Sequence, residues 1–177
     1  RDMQIKFRRI PVVLVFVFGL LSGLGIAGVA HADEQAAGAK VFIENLADRA
    51  VKSLAAPDID TAERRKRFRV VMLENFAFDR IAKWVLGRYW RRASDAEKAE
   101  YLKLYEDMLV LVYADRFAKY SGEVLQVGRS EVRGKNDILV YSKIVRPEGL
   151  KPVDVAWRIS QQESEYKIID VMVEGLS

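Results

Sequence analysis

Two arginine-rich segments hold the side chains best suited to recognition chemistry. Arg64-Arg65-Lys66-Arg67-Phe68-Arg69 is the densest basic run, and Gly87-Arg88-Tyr89-Trp90-Arg91-Arg92 mixes guanidiniums with aromatic rings. A guanidinium presents a planar fork of N–H donors that matches phosphate or carboxylate, so both segments suit anion recognition. For the first run, nucleic-acid binding would require aromatic stacking platforms and a basic surplus across the domain. Only Phe68 interleaves. The run therefore reads as a solvated helix face, with docking onto an acidic partner protein or anionic lipid headgroups as its functional alternative. The second segment reads either as a packed Tyr-Trp corner with snorkelling arginines or as the rim of a cavity whose arginines meet a phosphate.

Acid–base and nucleophilic chemistry has little to work with. Glu106/Asp107 and Asp170/Glu174 come nearest to paired carboxylates. Adjacent helix positions point apart, however, and the strand pair reads as ordinary surface charge. There is no cysteine, and the one histidine, His31, lies at the end of an N-terminal apolar segment. The rest of the chain thus excludes Ser-His-Asp and Cys-His catalysis, zinc sites built on His or Cys, and imidazole switching. No enzyme activity, catalytic residue, metal or cofactor is expected, and stability must come from packing without disulfides.

Lys6, Arg8 and Arg9 lead into an apolar run from Ile10 to Val29, which ends at Ala30-His31-Ala32 before Asp33-Glu34. A basic head, an apolar middle and an A-x-A exit predict a secretory signal peptide over residues 1–32, with an uncleaved anchor as the alternative. Pro11 and the glycines within the run favour cleavage, and an extracytoplasmic location follows. The whole sequence holds 29 basic and 25 acidic residues. Without Arg1, Lys6, Arg8, Arg9 and Asp2, the remainder has 25 and 24, a net charge of +1. The sequence pI near 9.3 therefore belongs to the precursor and gives no support for a nucleic-acid partner. Residues 33–177 suit a single domain with one core.

Helical spacing runs from Ala39 through Phe42, Ile43, Leu46, Ala50, Val51 and Leu54 until Pro57. Asp60 with Glu63 predicts the cap of a second helix, Thr61 to about Asn75, and Phe78 to about Leu86 forms a third that Gly87 can end. Ser94 with Glu97 predicts a capping box opening the longest helix, Asp95 to about Tyr120. Beyond Gly122 the apolar period falls to two: Val124–Val132, Ile138–Val145, Val153–Ile159 and Tyr166–Val173 read as strands joined by short turns. Helices followed by an antiparallel meander predict an α+β fold, N-terminal helices packed on one face of a four-stranded sheet.

Three stretches, Phe78 to Arg91, Tyr113 to Phe117 with Tyr120 to Glu123, and Tyr166 to Ser177, occur in the order found in the MlaC / toluene-tolerance family of periplasmic lipid-binding proteins, and the chain resembles that family along most of its length. The hopanoid-associated branch, often called HpnM, is an equally good subtype. The resemblance implies a curled sheet, an NTF2-like cone in shape, with acyl chains held between sheet and helices. It also implies a periplasmic carrier shuttling phospholipid between an outer-membrane lipoprotein complex and an inner-membrane ABC transporter complex. Family members continue past the position of Ser177 into further helices that help enclose the pocket. A hopanoid or other polycyclic lipid is the alternative cargo, and a non-lipid periplasmic interaction module the alternative function.

The family supplies no catalytic motif, so the lining of such a pocket is inferred from pattern. Val85, Tyr113, Phe117, Val140, Val155, Trp157 and Val171 are expected to line the tail cavity, and Arg88 and Arg91 to stand at its mouth.

Overall fold

Capping chemistry opens two of the four α-helices in the computed structural model, which describes residues 26–162 and 165–177. Residues 1–25 of the expected signal peptide lie outside the described residues. Helix α1 spans Ile26–Leu54, beginning well before Ala39 and running through the Ala30-His31-Ala32 stretch. Alanine is the best intrinsic helix former, and Ala27, Ala30, Ala32, Ala36 and Ala37 extend the helix where apolar periodicity gives no signal. Helix α2, Thr61–Asn75, opens as predicted: Asp60 Oδ1 accepts the Glu63 backbone N–H at 2.8 Å. Helix α3, Phe78–Leu86, ends at Gly87 with φ 59°, a left-handed position that a side chain would strain.

Helix α4, Asp95–Tyr113, opens on the full capping box, Glu97 N–H to Ser94 Oγ and Ser94 N–H to Glu97 Oε2. The backbone and hydroxyl of Ser94 hold the Glu97 carboxyl below its ordinary pKa. The predicted end near Tyr120 needs correction. The last turns, Ala114–Lys119, tighten into a 3₁₀ helix, a common way to close an α-helix. Within them Phe117 meets Phe68 with ring centroids 6.3 Å apart, and Asp115 meets Arg65 at 2.8 Å.

Strands β1 (Val124–Val132), β2 (Asp137–Val145), β3 (Val153–Gln162) and β4 (Glu165–Val173) form one antiparallel sheet in the order β1-β2-β3-β4. Register breaks once in each outer strand, between Val127 and Ser130 in β1 and opposite Arg158/Ile159 in β4, where Ile169 is the extra residue. Bulges of this kind bend a strand and increase its twist, and the sheet curls without closing. The α+β expectation is met: four helices pack with a curled, unclosed four-stranded sheet.

Helix α1 crosses the β1–β2 side, where Ala39, Ile43 and Leu46 bury against Ile138, Val140, Ile159 and Ile168. Close approach is possible because residue 38 is glycine. A Cβ there would sit 2.3 Å from Tyr166 Oη, whose hydroxyl donates to the Gln35 carbonyl at 3.3 Å. A second cluster, Met72, Val110 and Ala114 with Phe68, Phe78 and Leu109, joins α2 to α4, and Phe76 packs against both clusters. The α2–α3 junction also docks on β4, with Ala77 N–H donating to the Ile168 carbonyl at 2.8 Å.

Candidate functional site

Register places four of the predicted residues on one sheet face. Val140 pairs with Trp157 and Trp157 with Val171, while Ser142 pairs with Val155 and Val155 with Val173. Directly paired residues of an antiparallel ladder share a face. Four rows therefore cross the sheet on this side. The row Val132, Ile138, Ile159 and Ile168 is closed at its centre, its three isoleucines fully buried. Next comes Val140, fully buried, with Trp157 and Val171 half-buried, and then Val155, buried, beside an exposed Val173. The last row, Leu125, Ile144 and Val153, is half-buried throughout. The face thus grades from a sealed end to an apolar end that solvent partly reaches.

Ser142 is the residue that sequence reasoning missed. Its hydroxyl accepts the Trp157 indole N–H at 2.9 Å and donates to the Val155 carbonyl at 3.0 Å. A buried indole N–H without a partner would cost free energy, so this bridge satisfies Trp157 and fixes its ring on the face. The signal was present: Ile138, Val140, Ser142 and Ile144 form the inward phase of β2, and a serine in that phase marks a buried hydroxyl needing a partner.

The helical candidates stand on other elements, each with contacts of its own. Phe117 belongs to the α2–α4 packing through Phe68. Tyr113 and Val85 are 44% and 52% exposed, and the Arg116 guanidinium stacks over Tyr113 at 5.0 Å. Arg88 and Arg91 are exposed on the 3₁₀ turn Gly87–Arg91. Two open depressions of the described surface lie elsewhere, beside α1. One of about 380 Å³ is lined by Leu46, Arg49, Lys52, Ser53, Val71, Glu74 and Asn75. The other, about 400 Å³, lies against Phe42, Asn45, Asp48, Arg49 and Lys52.

The basic run of α2 is a solvated face only in part, since four of its five cations are engaged within the chain. Arg64 is 8% exposed, and its guanidinium donates to the carbonyls of Leu54, Ile59 and Ala56 at 2.9, 3.2 and 3.5 Å. A positive group at a helix C-terminus complements the dipole and satisfies orphan carbonyls. Arg65 pairs with Asp115 and Arg67 with Glu63, while Arg69 lies between Glu106 at 2.6 Å and Asp107 at 2.5 Å. The Arg65 hydrogen bond holds the Asp115 carboxyl below its ordinary range.

In the second basic segment only part of the expected Tyr-Trp corner is packed. Trp90 is packed, edge-on to Tyr101 at 6.5 Å, with Lys83 and Lys98 near its ring at 5.9 and 5.8 Å. Trp84 and Tyr89 face solvent, 74% and 59% exposed.

Among the described residues there is no group of three or more His, Cys, Asp or Glu that could hold a metal, and no helix is long and apolar enough to cross a membrane. Burial raises the Tyr101 and Tyr105 hydroxyls above their usual pKa. These stacked rings, 5.7 Å apart, support the α3–α4 contact, Tyr101 Oη donating to the Ala82 carbonyl at 2.8 Å.

Residues 44–177 match the family model described as MlaC protein. Among curated proteins, the chain is 24% identical over 96 residues to the "Intermembrane phospholipid transport system binding protein MlaC" of Haemophilus influenzae, a match covering 52% of this chain and 45% of that relative. The chain thus spans less than half the length of that relative. Among solved structures, it superposes with TM-score 0.68 and 16% identity on a phospholipid-binding protein from Ralstonia solanacearum in complex with a phospholipid, covering 77% of this chain and 78% of the other. The two share a fold.

Proposed function

Because the chain belongs to the MlaC family, we propose that it is a periplasmic carrier that moves phospholipid between an outer-membrane lipoprotein complex and an inner-membrane ABC transporter complex. The observation carrying this reading is the graded sheet face. Its sealed end anchors the fold, and its half-buried end offers apolar side chains to an acyl chain. Exposing a lipid chain to water costs about 0.8 kcal/mol per methylene, so two chains of roughly fifteen carbons approach 24 kcal/mol gross. A carrier needs only apolar shelter for the tails and no catalytic group. A signal peptide over residues 1–32 and a single domain over 33–177 accord with this role.

Val155, Trp157 and Val171 form the floor under the tails, with the fully buried Val140 supporting them from the sealed end. Val85, Tyr113 and Phe117 are proposed for the helical wall, with Arg88 and Arg91 towards the headgroup. The phospholipid transport and phospholipid binding of the Haemophilus and Ralstonia proteins support phospholipid as the cargo.

The test is lipid extraction and native mass spectrometry of the protein as isolated, compared with the Val171→Gln variant. Val171 is half-buried at the floor, so the variant is expected to keep its cooperative melt and lose most of its copurifying phospholipid. Undiminished phospholipid in a folded variant would refute the floor assignment. A polycyclic lipid in the extract would replace phospholipid as the cargo, and a lipid-free protein would remove the carrier reading.

A further inference from the structure

From Arg80 to Arg92 the chain carries five cations and no carboxylate. Arg80 reaches the Ser160 hydroxyl. Lys83, Arg88, Arg91 and Arg92 form no ion pair or side-chain hydrogen bond among the described residues. Lys83 leans towards the Trp90 ring, and the Arg88 guanidinium lies 5.8 Å from the Tyr89 ring. The nearest acidic groups in sequence beyond Arg92 are already engaged: Asp95 meets Lys98 at 3.2 Å, and Glu97 closes the capping box. Among these unneutralised cations stand exposed Trp84, Val85 and Tyr89.

The combination is chemically specific. An exposed indole, a phenol and a branched aliphatic group gain little from water, and Trp and Tyr favour the headgroup level of a bilayer, where an apolar ring and a polar edge are both accommodated. Unpaired Lys and Arg beside them are drawn to anionic lipid. A partner protein that was merely acidic would satisfy the cations and leave Trp84 and Val85 without apolar contact. The residue types, their exposure and the local charge therefore favour a lipid surface.

We propose that α3 and the 3₁₀ turn following it form a docking surface for anionic bilayers, Trp84 and Tyr89 entering the interface while Lys83, Arg88, Arg91 and Arg92 meet the headgroups. This surface does not depend on the cargo assigned to the sheet face: a lipid carrier and a lipid-free protein could both use it. Attraction is local, since residues 33–177 carry a net charge of only +1, and it should weaken as salt shortens the screening length.

The experiment is sedimentation of the full chain with vesicles of phosphatidylcholine alone and of phosphatidylcholine with phosphatidylglycerol. Three proteins are compared: the parent, Trp84→Ala/Tyr89→Ala and Lys83→Glu/Arg92→Glu. The parent is expected to partition onto the anionic vesicles, less so at high salt. Each double variant should fall by about tenfold or more, from lost interfacial aromatics or lost charge. Any contribution of residues 1–32 is common to all three proteins. Both variants should melt cooperatively and retain whatever lipid copurifies, which separates failure here from failure of the carrier reading. Absent vesicle binding, as an acidic protein partner would give, equal binding to neutral and anionic vesicles, or binding that survives either double substitution overturns the proposal.

Discussion

The two basic regions look alike as sequence and differ as structure in how their cations are partnered. On α2, Arg64, Arg65, Arg67 and Arg69 are spent inside the molecule, on the carbonyls ending α1 and on Asp115, Glu63, Glu106 and Asp107. On α3 and its 3₁₀ turn, Lys83, Arg88, Arg91 and Arg92 have no such partners and surround exposed aromatic rings. Charge density alone does not identify a recognition surface. What matters is whether the fold has already supplied counter-groups. The denser run is scaffold, and the sparser one is available to something outside the chain.

The sharpest way to break this comparison is Arg64→Met. The substitution keeps much of the stem's apolar volume but abandons the carbonyls of Leu54, Ile59 and Ala56. Buried acceptors left unpaired cost about 1–3 kcal/mol, and hydrogen bonds to charged groups sit at the upper end of the usual range. A loss of roughly 3 kcal/mol in urea unfolding is expected. A loss under about 0.5 kcal/mol, typical of surface substitutions, would return the α2 run to the status of a solvated face.

A smaller effect is expected at Arg65 and Asp115, which are partly exposed, and a double-mutant cycle should give only a weak coupling. Its sign with pH is fixed. Arg65 depresses the folded-state Asp115 pKa, so the contribution is present above the ordinary Asp value near 4 and is lost as pH falls through the lower, folded value. A coupling that grew on acidification would contradict the geometry. Smallest of all, Arg88→Ser with Arg91→Ser should change stability by less than about 0.5 kcal/mol, because neither side chain makes an ion pair or hydrogen bond among the described residues. A larger loss in the same unfolding experiment would mean that the two regions are less different than described.

The comparison also explains what could be read from sequence. The starts of α2 and α4 were legible because their determinants are local: Asp60 and Glu63, or Ser94 and Glu97, are three residues apart and bond to each other or to the intervening backbone. Strand order followed from turns too short for crossovers. The role of Arg64 was hidden because its acceptors are backbone carbonyls that carry no residue signature, and that of Arg65 because Asp115 is fifty positions away. The 3₁₀ tightening after Tyr113 was invisible for a similar reason, since its aromatic contact comes from Phe68 on another helix. At the sheet, alternation told which side chains share a face within β2 and β3, but not through β1 and β4, where the bulges reverse its phase and put Ile168 rather than Ile169 beside Ile159. How far that face is sealed depends on where α1 crosses it, and Gly38 against Tyr166 fixes that crossing through space.

The bulges at Gly128-Arg129 in β1 and at Ile169 in β4 have a further effect. They fall on the two outermost strands, where a straight row of free amides and carbonyls would serve as a template for another ribbon. A kinked border offers a poor match to a second copy, and the β4 border is additionally occupied near Ile168 by the Phe76–Ala77 segment. The same irregularities that shape the interior therefore discourage edge-on polymerisation at high protein concentration.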